Sequence, residues 1–474
     1  MYWAAYLASM PAAAESHVIR VLNPASGAVV GEVPVAGSQG VGLAVQRARR
    51  AQPSWAGIPL AERGRILAAA APALKEAAAE IGTLASQEMG KPLREAIGEA
   101  TWAADSLAQE IEQIVDALKP EVLDDGRVRS ELRFDPLGVA ACISPWNFPV
   151  LMPQQIVLPS LLAGNAVVLK PSEKSPLCAR AWAARVGAVL PADALQVIFG
   201  DGAEGRALVQ ADVNLIAFVG SRATGEDIMR SAAGGLKRLV LELGGKDPLI
   251  VLPGADLDAA AAFATRNCFR NAGQVCVSTE RIYAHREVAE DFLARFRARA
   301  AKLVQGDGAR EGVDVGPMVD AAQKRHVLAQ VRDAVSHGAR PILGGGEGEG
   351  NFVPPTILVD VDHSMSLMRE ETFGPVVGVM VVRDAEEAVR LANDTPYGLG
   401  AAVFGADDAA AEVASRLTAG MVGINQGCGG ARGTPWVGAR QSGFGYHSGR
   451  EGHRQFAQVR VLSRPARRAA AAAS

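Results

Sequence analysis

Aromatic residues make up only 5% of the 474-residue chain, and cysteine occurs five times. The cysteines, at 142, 178, 268, 276 and 428, are odd in number, scattered and never spaced CxxC. That pattern excludes a disulfide framework and a thiolate zinc site, and it makes a reducing cytoplasm the natural setting. Seven histidines form no HxxxH pair, so no metal site is expected. A formal net charge of −3 gives no electrostatic reason to expect nucleic acid or an anionic membrane as partner. No run approaches the roughly 20 apolar residues that a bilayer demands. The first ten residues, "MYWAAYLASM", lack a basic region and read as a ragged start rather than a signal peptide; "RPARRAAAAAS" at 464–474 reads as a frayed end.

What is present is an apolar content of 49%, with abundant alanine and 51 glycines, which suits an α/β protein. The length calls for at least two large domains. Residues 60–118 carry apolar side chains at spacings of three and four, with Gly90 as a stop, and so predict helix. "RVRSELRFD" (127–135) alternates and predicts an exposed strand or hairpin arm. From 137 to 243 short apolar runs, "LGVAACI", "NAVVLK", "LQVIF", "NLIAFV" and "RLVLEL", alternate with helical patterns at 177–190 and 222–235. Such alternation predicts a five-stranded parallel, Rossmann-like layer. A second α/β pattern follows residue 250, with strands at 281–284, 376–382 and 421–425 and Pro/Gly-rich joints at 341–355 and 429–438. No internal repeat is visible.

Ligands of open parallel sheets sit beyond the carboxyl ends of the strands. "ISPWNFP" (143–149), "KPSEKSP" (170–176) and "VGSRATG" (219–225) follow the first, second and fourth of these strands. The last is a glycine turn into a helix start, which aims N–H groups at an anion; it equally suits a plain βα turn. Lys170 could bond an adenosine ribose or a phosphate, with Ser172 in the same turn, and Glu173 could accept from a ribose 2′-OH. A carboxylate there repels a 2′-phosphate, which favours NAD and leaves NADP possible. A solvated charged pair explains the same spacing. "LELGGKDP" (241–248) puts Glu242 at a strand end beside two glycines, a place for acid/base work or simply a surface turn. In "GQVC", Cys276 is a nucleophile only if dipoles or a base assist it; otherwise it is a buried filler.

In order along 145–377 the chain reads "PWNFP", "KPSE", "FVGSRATG", "ELGGKDP", "FRNAGQVCVSTERI" and "EETFGPV". This set resembles the aldehyde dehydrogenase superfamily, over residues 20–463 or so. The resemblance implies that Cys276 attacks an aldehyde, that Asn147 and the Cys276 N–H hold the oxyanion, and that Glu242 activates water against the thioester. It implies cofactor contacts from Trp146, Lys170, Ser172, Glu173, Gly220, Ser221, Glu371 and Phe373, with Lys170 also a candidate catalytic group. The fold implied is a Rossmann-like cofactor domain (18–126 and 137–243), an α/β catalytic domain (244–441), and a small β bridging, oligomerising element. That bridge pairs an arm at 127–136 with a C-terminal strand at 456–463 inside a last segment, 442–474, and makes a homodimer or homotetramer. The family pattern "PFGGxKxSGxG" is here "PWVGARQSGFG" (435–445), with Val437 for glycine and Arg440 for lysine.

The substrate follows from Arg270, six residues before Cys276. "FRNAGQ" and "QEMGKPLREAIGE" (87–99) are similar to succinate-semialdehyde dehydrogenases, in which that arginine grips the substrate carboxylate. The subgroup's second arginine matches Gln155, its partner serine falls in the glycine-rich 429–431 stretch, and Arg432 is a substitute contact. A semialdehyde is the expected substrate. "CVSTERI" is similar to enzymes of aromatic aldehydes such as salicylaldehyde or benzaldehyde, which makes aromatic or aliphatic aldehydes the alternative. CoA-acylating and inactive relatives lack the glutamate or cysteine that this chain keeps.

Overall fold

Five strands, Val139–Ile143, Ala166–Lys170, Leu195–Val197, Leu215–Val219 and Arg238–Glu242, pair in parallel where the apolar runs place them. Helices cover both faces, which is why these strands read as unbroken apolar runs rather than alternating ones. In spatial order the fifth and fourth strands lie on one side of the first, and the second and third on the other. The chain therefore reverses direction across the sheet between Val139–Ile143 and Leu215–Val219. A two-residue antiparallel strand, Gly443–Phe444, extends the sheet beyond Arg238–Glu242. The computed structural model describes residues 18–466; the expected ragged start and most of the frayed end lie outside the described residues.

The helical pattern at 60–118 resolves into Leu60–Ala68, Ala71–Met89 and Leu93–Ala117. Gly90 ends the second of these at φ +82°, its N–H bonding the Ser86 carbonyl at 2.9 Å. A Cβ there would lie 2.6 Å from the Pro317 ring, so the stop also lets the second sheet's loops approach. An antiparallel ribbon, Val18–Leu22 with Val29–Pro34, and a helix, Gly37–Ala56, precede this region. Neither is legible in the pattern. No described helix is long and apolar enough to cross a membrane.

The second sheet has seven strands, in the order Arg340–Leu343, Thr356–Val359, Val376–Val382, Thr279–His285, Asp247–Val251, Gly400–Phe404 and Met421–Ile424. All neighbours run parallel except the first two. The strands expected near 281–284, 376–382 and 421–425 are present. Asp247–Val251, Thr356–Val359 and Gly400–Phe404 are wholly buried but only four or five residues long, too short to show a period. Strand Arg340–Leu343 runs into the joint expected at 341–355, because Pro341 sits on a sheet edge where its missing N–H costs little.

Val128–Pro136 is the middle strand of a three-stranded sheet, between Ala457–Pro465 and Glu121–Asp124. Val122, Leu123, Val128, Val459, Val461 and Leu462 are exposed on it.

Candidate active site

Four residues lead from the first sheet to the second. Strand Arg238–Glu242 belongs to the first, Asp247–Val251 begins the second, and only Leu243–Lys246 separates the two along the chain. Glu242 thus stands at the carboxyl edge of the first sheet, in register with Val219, whose strand leads to Gly220 and Ser221. Asn147 follows the strand Val139–Ile143 on the other side of the reversal point. Cys276 comes from the second sheet's side, between helix Leu257–Phe269 and strand Thr279–His285. One cavity of about 1280 Å³ holds Cys276, Glu242 and Asn147 together.

The Cys276 loop is held in an uncommon shape. Asn271, Ala272 and Gly273 have φ of +48°, +54° and +69° in succession. For the two side-chain-bearing residues this is strained backbone, and it persists only because its surroundings fix it. A Cβ on Gly273 would meet the Gly374 carbonyl oxygen at 2.1 Å. The Gln274 carbonyl accepts from the side-chain amides of Asn147 and Asn271, each at 3.1 Å, and Gln274 Oε1 accepts from the Val319 N–H at 2.8 Å. Among the described residues no acceptor lies on the Cys276 N–H. Asn147 spends one of its two amide hydrogens on Gln274, so its second and the Cys276 N–H remain as donors from two loops of the same cavity.

Burial pushes the Cys276 thiol well up, and the carboxyls of Glu242 and Asp247 push it further. It therefore rests as a thiol that needs a base. Burial also pushes Glu242 up to about 7, against the lowering effect of a hydrogen bond from Trp436 Nε1 at 3.1 Å and of the nearby Cys276 thiol. A carboxyl that titrates near neutrality beside a thiol is suited to proton transfer.

Glu371 and Phe373 line the same cavity from the turn before Val376–Val382. Burial and the Glu280 carboxylate push Glu371 up to about 8, while the Gly245 N–H, 3.1 Å from Glu371 Oε1, acts against them. Trp146 meets the Phe373 ring edge-on at 5.4 Å between centroids. Gly220 and Ser221 also line the cavity; Ser221 caps helix Arg222–Ala232 by accepting from the Thr224 N–H at 3.4 Å. Lys170, Ser172 and Glu173 end the neighbouring strand and are not brought to the cavity wall around Cys276. Lys170 is buried, its Nζ 3.2 Å from the Pro171 carbonyl and 3.9 Å from the Glu173 carboxylate. Burial lowers its pKa, and among the described residues two of its three N–H donors lack a close acceptor. An ammonium with spare donors, a helix start opening on the cavity and a carboxylate beside the lysine fit a dinucleotide's ribose and phosphates.

Arg270, Gln155 and Arg432 all line the same cavity. The Arg270 N–H caps the preceding helix on the Arg266 carbonyl, but among the described residues its guanidinium has no hydrogen bond or ion pair, its Nε is buried without a partner, and the Glu95 carboxyl only feels its charge. Arg432 is exposed at the mouth, while Gln155 Oε1 accepts from Ser448 Oγ at 2.8 Å. Trp102, Phe148, Met152 and Trp436 add an apolar wall.

Sequence reasoning missed the supports beneath these loops. Lys246 and Glu280 form a buried ion pair at 2.5 Å, and Glu280 also accepts the N–H groups of Thr372 and Phe373, each at 2.8 Å. Lys91 and Glu99 form another at 2.5 Å, and Glu99 Oε1 accepts the N–H groups of Val150 and Leu151 at 3.0 and 2.9 Å. The Lys91 ammonium also sits 4.0 Å above the Phe148 ring, next to Asn147. The one signal available was a lysine inside an otherwise apolar or glycine-rich motif, as in "MGKP" and "GGKDP".

Comparison with known proteins gives the family of the chain. The aldehyde dehydrogenase family model matches residues 11–462. An aminoaldehyde dehydrogenase of Pisum sativum is 37% identical over 462 residues, covering 94% of this chain and 92% of that protein. A glutarate-semialdehyde dehydrogenase of Pseudomonas putida is 36% identical over 453 residues, covering 94% of each. A crystal structure of betaine aldehyde dehydrogenase from Staphylococcus aureus in complex with NAD+ superposes with a TM-score of 0.90 at 30% identity, covering 94% of both chains.

Proposed function

The chain belongs to the aldehyde dehydrogenase family, and we propose that its substrate is a short aldehyde carrying a carboxylate, a semialdehyde such as succinate semialdehyde. The observation that carries this proposal is Arg270, a permanent cation whose guanidinium has no hydrogen bond or ion pair among the described residues, in the cavity that holds Cys276. The Glu95 carboxyl is near enough to feel the Arg270 charge but forms no ion pair with it, so the guanidinium Nε stays buried and unbonded. That is costly, and a substrate carboxylate would relieve the cost with two parallel hydrogen bonds. The same charge repels the ammonium of an aminoaldehyde or a betaine aldehyde, so similarity to enzymes of those substrates does not carry over their specificity. The apolar wall of Trp102, Phe148, Met152 and Trp436 favours the second reading, an aromatic or aliphatic aldehyde.

Cys276 loses its proton to Glu242 and attacks the aldehyde carbon. Asn147 and the Cys276 N–H donate to the oxygen of the resulting thiohemiacetal, where negative charge develops. NAD, when bound, supplies the acceptor for the hydride that must leave that carbon. Lys170 and Glu173 would hold its adenosine ribose, Gly220 and Ser221 its phosphates, and Glu371, Phe373 and Trp146 its nicotinamide end. Lys170 belongs to binding rather than chemistry, since it lies apart from the cavity wall around the sulfur. Once the thioester exists, Glu242 accepts a proton from the water that hydrolyses it.

The exposed apolar side chains and two free edges of the three-stranded sheet support a homodimer or dimer of dimers built on this arm. Light scattering should give two or four times the 49.4 kDa subunit mass; a monomer would reject the proposal. Five free cysteines suit a reducing compartment such as the cytoplasm.

The test of substrate class is NADH formation from succinate semialdehyde, glutarate semialdehyde, 4-aminobutanal and benzaldehyde by wild type and Arg270→Ala. Loss of a charge-assisted bidentate contact should cost about 1.5–3 kcal/mol, roughly 10- to 150-fold in kcat/KM, for the two semialdehydes alone. A wild-type preference for benzaldehyde or 4-aminobutanal, or equal losses on all four, would reject the semialdehyde.

A further inference from the structure

The family pattern has phenylalanine where this chain has Trp436, and only the indole brings an N–H. Trp436 Nε1 donates to Glu242 Oε1 at 3.1 Å, while among the described residues Glu242 Oε2 is buried with no hydrogen-bond partner beyond the nearby Cys276 thiol. The indole is itself fixed. Its backbone N–H donates to the His447 carbonyl at 2.9 Å, and its ring lies within 17° of parallel to the His447 imidazole at 6.4 Å between centroids. Next along, His447 Nδ1 is 2.9 Å from Ser448 Oγ, which donates to Gln155. A packed row of side chains therefore ties one carboxylate oxygen to the far wall of the cavity and leaves the other outside that row.

We infer that Trp436 is a positioning residue for the hydrolytic half of the reaction, holding Oε1 so that Oε2 takes the proton of the attacking water. The inference rests on the proposed role of Glu242 as base. In that step the water oxygen bonds to the thioester carbon and its proton passes to Oε2. The carbon–sulfur bond then breaks with its electron pair returning to Cys276, and the proton leaves Glu242 for that sulfur or for solvent.

The titratable group acting on Glu242 is the Cys276 thiol, while the Glu242 carboxylate in turn helps to raise Glu371. His447, behind the indole, is held neutral by burial with its pKa pushed down to about 3. No protonated imidazole therefore stands in for the indole N–H near neutral pH. Removing that N–H takes away a bond that favours the charged carboxylate, so the pKa of the base must rise.

The experiment uses p-nitrophenyl acetate, which acylates a reactive cysteine with release of p-nitrophenolate and needs no cofactor. Wild type should give a burst about stoichiometric with enzyme, then steady hydrolysis limited by breakdown of acetyl-Cys276. Trp436→Phe keeps a ring against His447 and should keep the burst, while the steady rate falls roughly tenfold and its acid limb moves up by about one pH unit. Acetyl-enzyme should accumulate in the quenched variant by intact mass. His447→Leu, which removes the stacked support but leaves the indole N–H in place, should shift both readouts the same way by less, and it decides the matter if the Phe variant loses its burst. An unchanged rate and acid limb in either variant that bursts overturns the inference. p-Nitrophenolate release that survives Cys276→Ala unchanged would instead overturn the role given to Cys276.

Discussion

Charged groups around the cavity fall into two kinds. Beneath the loops, Lys246–Glu280 and Lys91–Glu99 are buried, paired at 2.5 Å and furnished with further bonds to backbone N–H groups. On the cavity wall, among the described residues, the Arg270 guanidinium has no hydrogen bond or ion pair, and Glu242 has one oxygen bonded to the indole and the other with no partner beyond the Cys276 thiol. Charges that have satisfied one another hold the backbone in place. Those left under-satisfied face the space where substrate and water come, and they are the groups to which chemistry is assigned.

The largest expected effect lies with the satisfied kind. Lys246→Met strands the Glu280 carboxylate in the interior and should cost about 3–5 kcal/mol of stability by urea unfolding. Thr372 and Phe373 should loosen with it and raise the KM for NAD. A loss under about 1 kcal/mol would mean that the pair does not support the turn. Arg270→Ala should leave the urea midpoint unchanged while it removes activity on semialdehydes. If it destabilises as Lys246→Met does, Arg270 belongs with the scaffold and the contrast fails. The smallest effect is a matter of pH. With Glu242 pushed up to about 7, deacylation should fall as pH drops below 7 and level off above it. The same shift makes the native state hold a proton that the unfolded chain gives up at lower pH. Stability from this group is therefore greatest in acid and lost as pH rises past about 7, and Glu242→Gln should gain on wild type at pH 8.

Much of the fold was legible because a parallel sheet buried on both faces writes itself as unbroken apolar runs, as in "GVAACI" and "LIAFV". Strands such as Thr356–Val359 were not, since four residues between loops carry no period. At the site, Cys276, Glu242 and Asn147 could be named because each sits in a short motif that the chain spells out in one place. Glu280 and Trp436 could not. The first matters through Lys246, 34 positions earlier, and the second through Glu242, 194 positions earlier, and only the junction of two sheets brings such residues together.

That junction turns on Gly244 and Gly245. A Cβ on the first would fall 2.3 Å from the Glu371 carboxylate, and one on the second 2.5 Å from the Cys276 carbonyl. Two adjacent residues are thus the shared bearing of the oxidising and hydrolysing halves of the cycle. A methyl group added to either would push on both loops at once, so the machine's manufacturing tolerance is tightest at a place where no chemistry happens.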